Sequence, residues 1–309
     1  MTAPERGLAA AAGLAERFLL LFVLVVAAAG VALPGPGRMA AAGDGIDAAL
    51  AVLVFATGLS LRLADLAAVR TAWRRVALAL AVSTAALPAL AWAASRLIGD
   101  PVLRAGMLTV GVAPAEVATV ALCVIAGGEA AVSAVILAAS TLVAVLAAGP
   151  VLALAGAAAT VPAASLLGTL ALVVALPLAA GIGLRAVWAP GARASAAVRI
   201  GTVAALLILL WQVASQIRLD AGYLQVSAAL GAFLAGSALL GGLLSVRLPA
   251  GRAVAVLLPV GLRDFAVAAG IAATAFGPAA AAPLGVYGVF VLVTGSAIAL
   301  SAGRRGRPR

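Results

Sequence analysis

Side chains able to do chemistry are sparse in this sequence, and the telling ones lie among apolar neighbours. Residues 109–120 read TVGVAPAEVATV and set Pro114 beside Glu116. Residues 257–268 read LLPVGLRDFAVA and set Pro259 and Gly261 beside Arg263 and Asp264. Proline removes a backbone donor and crowds the preceding turn, and a nearby glycine relaxes the chain further. An interrupted helix inside a bilayer survives only where its freed amides and carbonyls line protein or a wet cavity. A charge at the bilayer centre costs about 2.5–3.5 kcal/mol on insertion scales. Two short windows that each join a helix breaker to buried charge therefore point to binding of a solute or an ion, with a structural salt bridge as the plain alternative. Bond-breaking chemistry is not indicated. There is no His and one Cys, Cys123, which removes the usual proton shuttle, a disulfide framework and any multi-thiolate metal site. No serine nucleophile elbow or carboxylate dyad is present, so neither an enzyme nor an organic cofactor is expected.

The elements that must carry these residues follow from composition. The 309 residues are 65 % hydrophobic and 10 % charged, with mean hydropathy +1.24. A soluble domain carries about 25 % charged residues, so an ordinary aqueous globule is excluded. The net charge of +10 rests on 20 arginines and no lysine and does not call for nucleic acid as a partner. A membrane helix needs about 20 apolar residues. That ruler gives ten stretches, at 17–34, 46–61, 76–95, 102–126, 130–156, 163–184, 198–217, 221–246, 252–276 and 279–302. The expected fold is an all-α polytopic membrane protein with ten transmembrane helices. With the N-terminus cytoplasmic, 15 arginines fall on the cytoplasmic side and 4 opposite, Arg263 alone lying within a span. Cationic loops resist translocation, so both termini are expected in the cytoplasm, with the chain in a bacterial inner (cell) membrane.

The breaks fall in the fourth and ninth stretches, each fourth within its own half of five. Halves of five spans enter from opposite sides, which is the inverted repeat of many secondary transporters, where paired discontinuous helices 4 and 9 cross at the solute site. Because Arg263 and Asp264 are adjacent, they diverge by about 100° on a regular helix. Arg263 is therefore expected to reach Glu116 across the crossing while Asp264 faces the cavity. Glu129 is expected to cap the fifth helix with its carboxylate. Residues 61–75 read as an interfacial helix or a charged loop.

With these residues in hand, the chain resembles the bile acid:sodium symporter family from about Phe55 to its end. The similarity is carried by Gly58-Leu59-Ser60-Leu61 with Asp65-Leu66 and Arg70, by Pro114 through Gly128 with Ser133 and Ser140-Thr141-Leu142, and by Gly261-Leu262-Arg263-Asp264 with Ala275-Phe276-Gly277-Pro278 and Gly295-Ser296. The resemblance implies one transporter domain divided into a panel (17–61 and 163–217) and a core (76–156 and 221–302). Sodium would bind at the helix crossings and solute in the cleft between panel and core. The family's sodium-ligand positions fall here on Ser83, Thr119, Val120, Ser133, Leu137, Pro259, Arg263 and Asp264. Several of these lack an oxygen-bearing side chain and one is a fixed cation, while a hard cation wants converging oxygens. This argues against sodium coupling; if sodium is retained, Thr119, Ser133 and Asp264 are its ligands.

The expected activity is secondary transport of a small organic anion or amphipathic solute. Glu116, Thr119, Ser133, Arg263, Asp264 and Ser83 are the expected binding residues, with a proton or sodium as coupling ion. A passive channel and a non-transporting sensor on the same fold are the alternatives. Substrate identity, direction of transport and oligomeric state are not written in the sequence.

Overall fold

The computed structural model describes residues 7–8, 10–14, 18–60, 69–154, 168, 171–188, 190–217 and 221–305. Among these the chain is helical throughout and contains no strand, only one isolated backbone bridge. In order, the helices are α1 Leu19–Ala32, α2 Pro34–Ala41, α3 Gly45–Ser60, α4 Val69–Ala81, α5 Leu87–Ser95, α6 Pro101–Val112, α7 Thr119–Ile125, α8 Ala130–Leu154, α9 Leu176–Val187, α10 Ala192–Ala214, α11 Ala221–Ser245, α12 Ala250–Gly261, α13 Phe265–Phe276 and α14 Pro278–Arg305. Alanine- and leucine-rich runs favour helix, and in an apolar solvent the helix is the only way a single segment satisfies its own backbone. Among the described residues five helical stretches are long and apolar enough to cross a membrane alone: Trp73–Ser95, Ala130–Leu154, Ala192–Ala214, Gly222–Ser245 and Pro278–Gly303.

Several local features depart from the sequence reading. The expected loop after the first stretch folds as α2, turned 97° from α1. The third stretch begins at Val69 rather than residue 76. Residues 61–68, with Leu61, Asp65 and Leu66 and most of the expected interfacial connector, lie outside the described residues, as do residues 1–6 and 306–309. Two π-helical turns, Val82–Ala86 and Ala171–Ala175, stand just before Pro88 and Pro177. A proline cannot donate to the carbonyl four residues back and its ring crowds it, and each turn widens to accommodate that. Pro259 does not break its helix: α12 runs through it to Gly261.

The helices assemble by close contact of small residues, as expected where lipid is as apolar as leucine. α3 packs on α9 and α10, and α1 packs on α10. α5, α6, α11, α12, α13 and α14 form a second set, with α8 against α4, α7 and α12. The two sets meet where α3 touches α13 and where α14 touches α1 and α10. Gly58 and Gly181 bring α3 and α9 to backbone contact; a Cβ on either would strike the other helix's main chain.

Candidate functional site

Each broken helix unwinds for a few residues, and the two unwound segments lie against one another. α6 ends at Val112 and α7 starts at Thr119; α12 ends at Gly261 and α13 starts at Phe265. Between them Ala115 and Arg263 form an antiparallel bridge. The Glu116 N–H donates to the Leu262 carbonyl at 3.0 Å, and the Asp264 N–H donates to the Pro114 carbonyl at 2.9 Å. The remaining freed groups are met by neighbouring side chains. Ser140 Oγ on α8 accepts from the Ala115 N–H at 3.0 Å, and the Tyr287 hydroxyl on α14 accepts from the Arg263 N–H at 3.4 Å. The Gly261 carbonyl accepts from Ser237 Oγ at 2.7 Å, and the Ala113 carbonyl accepts from the Arg263 guanidinium. Buried backbone groups demand partners, and main chain and side chains of the crossing supply these.

The charged side chains take roles opposite to those expected. Arg263 is 2 % exposed. Its Nη1 donates to Ser83 Oγ at 3.1 Å, in the first π-helical turn, and its Nη2 to Ala113. The expected Arg263–Glu116 ion pair is not formed, because the guanidinium is held by the neutral oxygens of the crossing. Asp264, 2 % exposed, turns to its own helix and is not part of the lining of the cavity at Glu116. It is the N-cap of α13, its Oδ1 accepting from the Ala266 and Val267 N–H groups at 2.8 and 2.9 Å, an arrangement that aspartate favours. Glu116, 1 % exposed, is the group that faces open space. Its Oε1 accepts from the Ala118 N–H at 3.4 Å, the Val117 and Phe265 backbone N–H groups also approach the carboxylate, and Oε2 has no well-formed hydrogen bond.

Of the expected oxygen donors, Thr119 Oγ1 donates to the Glu116 carbonyl at 2.6 Å, and Ser133 Oγ is buried without a partner. Glu129 does stand at the start of α8, but its carboxylate accepts from Arg252 Nε at 3.0 and 3.1 Å rather than from helix amides. No cluster of three or more His, Cys, Asp or Glu able to hold a metal ion occurs among the described residues.

Glu116 sits on the wall of a cavity of about 340 Å³ that lies between α3 and α10 on one side and the 116–124 segment and α8 on the other. Its lining includes Thr57, Val117, Val120, Val124, Ala130, Leu137, Arg199 and Leu206. These belong to the last part of α3, the first parts of α8 and α10, and the segment leading through α7. At the other end of the same helices the two sets close. Leu50 of α3 covers Gly270 of α13, Asp47 hydrogen-bonds Thr274, and Ala214 of α10 abuts Gly285 of α14.

Sequence reasoning did not single out Ser237, Tyr287 or Arg199, and took Ser140 only as part of a motif. A lone hydroxyl on an apolar helix carries no signal of whether it faces lipid or a broken neighbour. Arg199 enters the sequence reading only as one of the 15 arginines counted on the cytoplasmic side.

These crossed, interrupted helices in an all-helical, largely apolar chain belong to a multi-pass integral membrane protein. Residues 48–225, more than half of the chain, match the Sodium Bile acid symporter family. The chain belongs to that family, whose members are transporters. No curated protein matches it.

Proposed function

We propose that the protein is a secondary transporter that moves a small organic anion or amphipathic solute by alternating access, coupled to protons through Glu116 rather than to sodium. The observation that carries this reading is the buried Glu116 oxygen, without a well-formed hydrogen bond, on the wall of a cavity open at one end of the molecule.

Ten spans account for every named helix but α2: α1, α3, α4 with α5, α6 with α7, α8, α9, α10, α11, α12 with α13, and α14. A repeat of five spans is supported by one constant offset. Ala115 and Arg263 stand 148 residues apart, as do Ala130 and Pro278 at the starts of α8 and α14. The Ala113 and Gly261 carbonyls, each capped by a side chain, keep the same spacing. An odd number of spans per repeat makes the second inverted. In this reading α1–α3, α9 and α10 form the panel and the remainder forms the core. The arginine excess on one side supports cytoplasmic termini; in a bacterial inner membrane so oriented the cavity opens inward and the Leu50–Gly270 contact closes the far side.

Sodium fits these residues poorly. Asp264 is engaged by α13, Thr119 donates to a carbonyl, and a guanidinium already occupies the oxygens at Ser83 and Ala113. A second cation there would meet Arg263 in a medium of low dielectric. A proton needs only a carboxylate. An anion entering the cavity is repelled by ionised Glu116 and not by the protonated acid, so solute and proton bind together. Arg263, Asp264, Tyr287 and Arg199 are the other ionisable groups around it.

The test is uptake of labelled octanesulfonate, an anion that does not titrate, by proteoliposomes. Uptake should saturate, rise with an inward proton gradient, and persist when choline replaces sodium. Uptake that requires sodium overturns the coupling, and flux that never saturates overturns carrier transport in favour of a pore.

A further inference from the structure

The span Trp73–Ser95 has a tryptophan–arginine pair near each end. The Arg74 guanidinium lies 5.4 Å from the centre of the Trp73 ring, and the Arg96 guanidinium lies 5.3 Å from that of Trp92. Both tryptophans are about half exposed. Trp92 follows Trp73 by 19 positions, which is about 28 Å of helix. That matches the thickness of about 30 Å of a bilayer's hydrocarbon. Tryptophans favour the two membrane–water interfaces, so the pairs mark the two headgroup levels, and Arg74 and Arg75 belong to one of them.

A second segment joins α4 at that level. Arg75 Nη1 donates to the carbonyl of Leu244, in the last turn of α11, at 3.4 Å. Three residues on, exposed Arg247 stands in the turn between α11 and α12, within about 11 Å of Leu244 along the chain. Its φ of 67° is left-handed, a conformation that glycine usually supplies just past a helix end. An arginine held there against its backbone preference points to a use for the side chain. Glu129, at this same end against α12, is already engaged by Arg252 at 3.0 Å. Arginines that only hold loops on one side of a membrane need no common neighbourhood. These meet across 169 positions of sequence.

Next to the arginines the same two helices present apolar side chains outward. Leu78 is exposed one turn on from Arg74, and Leu239 and Leu243 are exposed one turn apart on α11. A cationic rim beside an apolar wall is complementary to an anionic lipid, and guanidinium groups match phosphate oxygens with paired donors.

We infer that Arg74, Arg75 and Arg247 bind the phosphate of one anionic phospholipid, whose acyl chains lie along Leu78, Leu239 and Leu243. The site shares no residue with the cavity at Glu116. A lipid bound there ties α4 to the α11–α12 turn.

Native mass spectrometry of the full-length protein, stripped of lipid in detergent and titrated with phosphatidylglycerol or phosphatidylcholine, tests the site. The wild type should retain one phosphatidylglycerol at a concentration roughly tenfold or more below that needed for phosphatidylcholine, the scale of two interfacial arginines. Arg74→Gln combined with Arg247→Gly should abolish that preference. Arg247→Gly alone should already reduce it by roughly threefold or more, and because glycine suits this backbone the variant should unfold no earlier than the wild type. Arg193→Gln removes an exposed arginine from the start of α10 and should keep the preference. Equal retention of the two lipids by the wild type, a preference that survives both substitutions, or an equal loss in Arg193→Gln each overturns the site. Displacement of the lipid by millimolar inorganic phosphate overturns the lipid as occupant and makes the arginines a site for a soluble anion.

Discussion

The guanidinium of Arg263 caps the carbonyl of Ala113, the residue at which the first broken helix lets go of its hydrogen-bond ladder. One half of the molecule thereby completes the backbone of the other. The same side chain holds Ser83, so three spans meet on one charge. Replacing Arg263 by methionine keeps an unbranched apolar stem and strands a buried carbonyl and a buried hydroxyl. Each orphan costs about 1–3 kcal/mol. Arg263→Met should therefore unfold at clearly lower temperature in detergent, and Arg263→Lys should recover only part of the loss because one ammonium replaces a two-armed donor. An unshifted thermal transition for the methionine variant would remove Arg263 from this structural role.

The hydroxyls of Ser140 and Ser237 make the matching prediction without charge. Ser140→Ala leaves the Ala115 N–H without its acceptor, and Ser237→Ala leaves the Gly261 carbonyl without its donor. Each should cost about 1–3 kcal/mol in thermal or denaturant unfolding. Ser301→Ala, on an exposed part of α14 where the hydroxyl bonds only its own helix, is the control and should change little.

What the sequence could and could not disclose follows from the range of each signal. Hydropathy is a property of a whole stretch, so the described residues of the apolar stretches are mostly helical, and five of those helices are long and apolar enough to cross a membrane alone. The sequence places the breaks at Pro114, Pro259 and Gly261, and of these Pro259 alone does not interrupt its helix, which ends at Gly261. Pro114 lies in the unwound segment, whereas Pro259 stays inside α12 and the chain opens three residues later, where Asp264 starts a new helix by capping it. A proline can kink or break; the cap on the next helix decides, and it was visible as an aspartate but was read as a ligand. The roles of Glu116, Arg263 and Asp264 depend on directions of side chains across an unwound crossing, which helical spacing does not govern. The second half of the site, Ser140, Ser237 and Tyr287, comes from neighbouring spans whose facing no single-sequence pattern records.

Close approach of α3 and α9 gives a prediction about assembly. A Cβ on Gly181 would meet the Phe55 carbonyl and Gly58, and this is backbone that cannot swing aside. Gly181→Leu should push the helices apart and cost about 1–3 kcal/mol or more, read as lost thermal stability and lower yield of monodisperse protein. Gly183→Leu, two residues on where nothing lies within reach, should be tolerated. Equal behaviour of the two variants would mean that this contact is dispensable.

Proton coupling gives a prediction with a sign. If protonated Glu116 admits an anion and ionised Glu116 repels it, octanesulfonate should bind more tightly as pH falls, since that ligand has no titration of its own in the range. Glu116→Gln mimics the protonated acid in shape and charge. Its binding should be tight at every pH, while uptake driven by a proton gradient is lost because no proton can travel with the solute. A pH dependence retained by Glu116→Gln would move the coupling elsewhere.

Closure at the end opposite the cavity can be tested by fixing it. A Cβ on Gly285 would stand 3.4 Å from both the Cα and the N of Ala214, so α10 and α14 touch main chain to side chain there, and cysteines at these two positions test the contact by whether they cross-link. The native Cys123 is buried and does not compete for the bridge. With Ala214→Cys and Gly285→Cys combined, oxidation should tie α10 to α14 and hold the cavity open on one side only. If solute passes by alternating access, that end must part during every cycle. Octanesulfonate uptake should then vanish on oxidation and return with reductant, while binding to the open cavity remains. Loss of binding together with uptake would mean that the bridge had distorted the site, and the same cysteines at Leu50 and Gly270, where the two sets also touch, separate that case. Full uptake through the bridged protein would show that α10 and α14 move as one body, and the division into a moving core and a fixed panel would have to be drawn elsewhere.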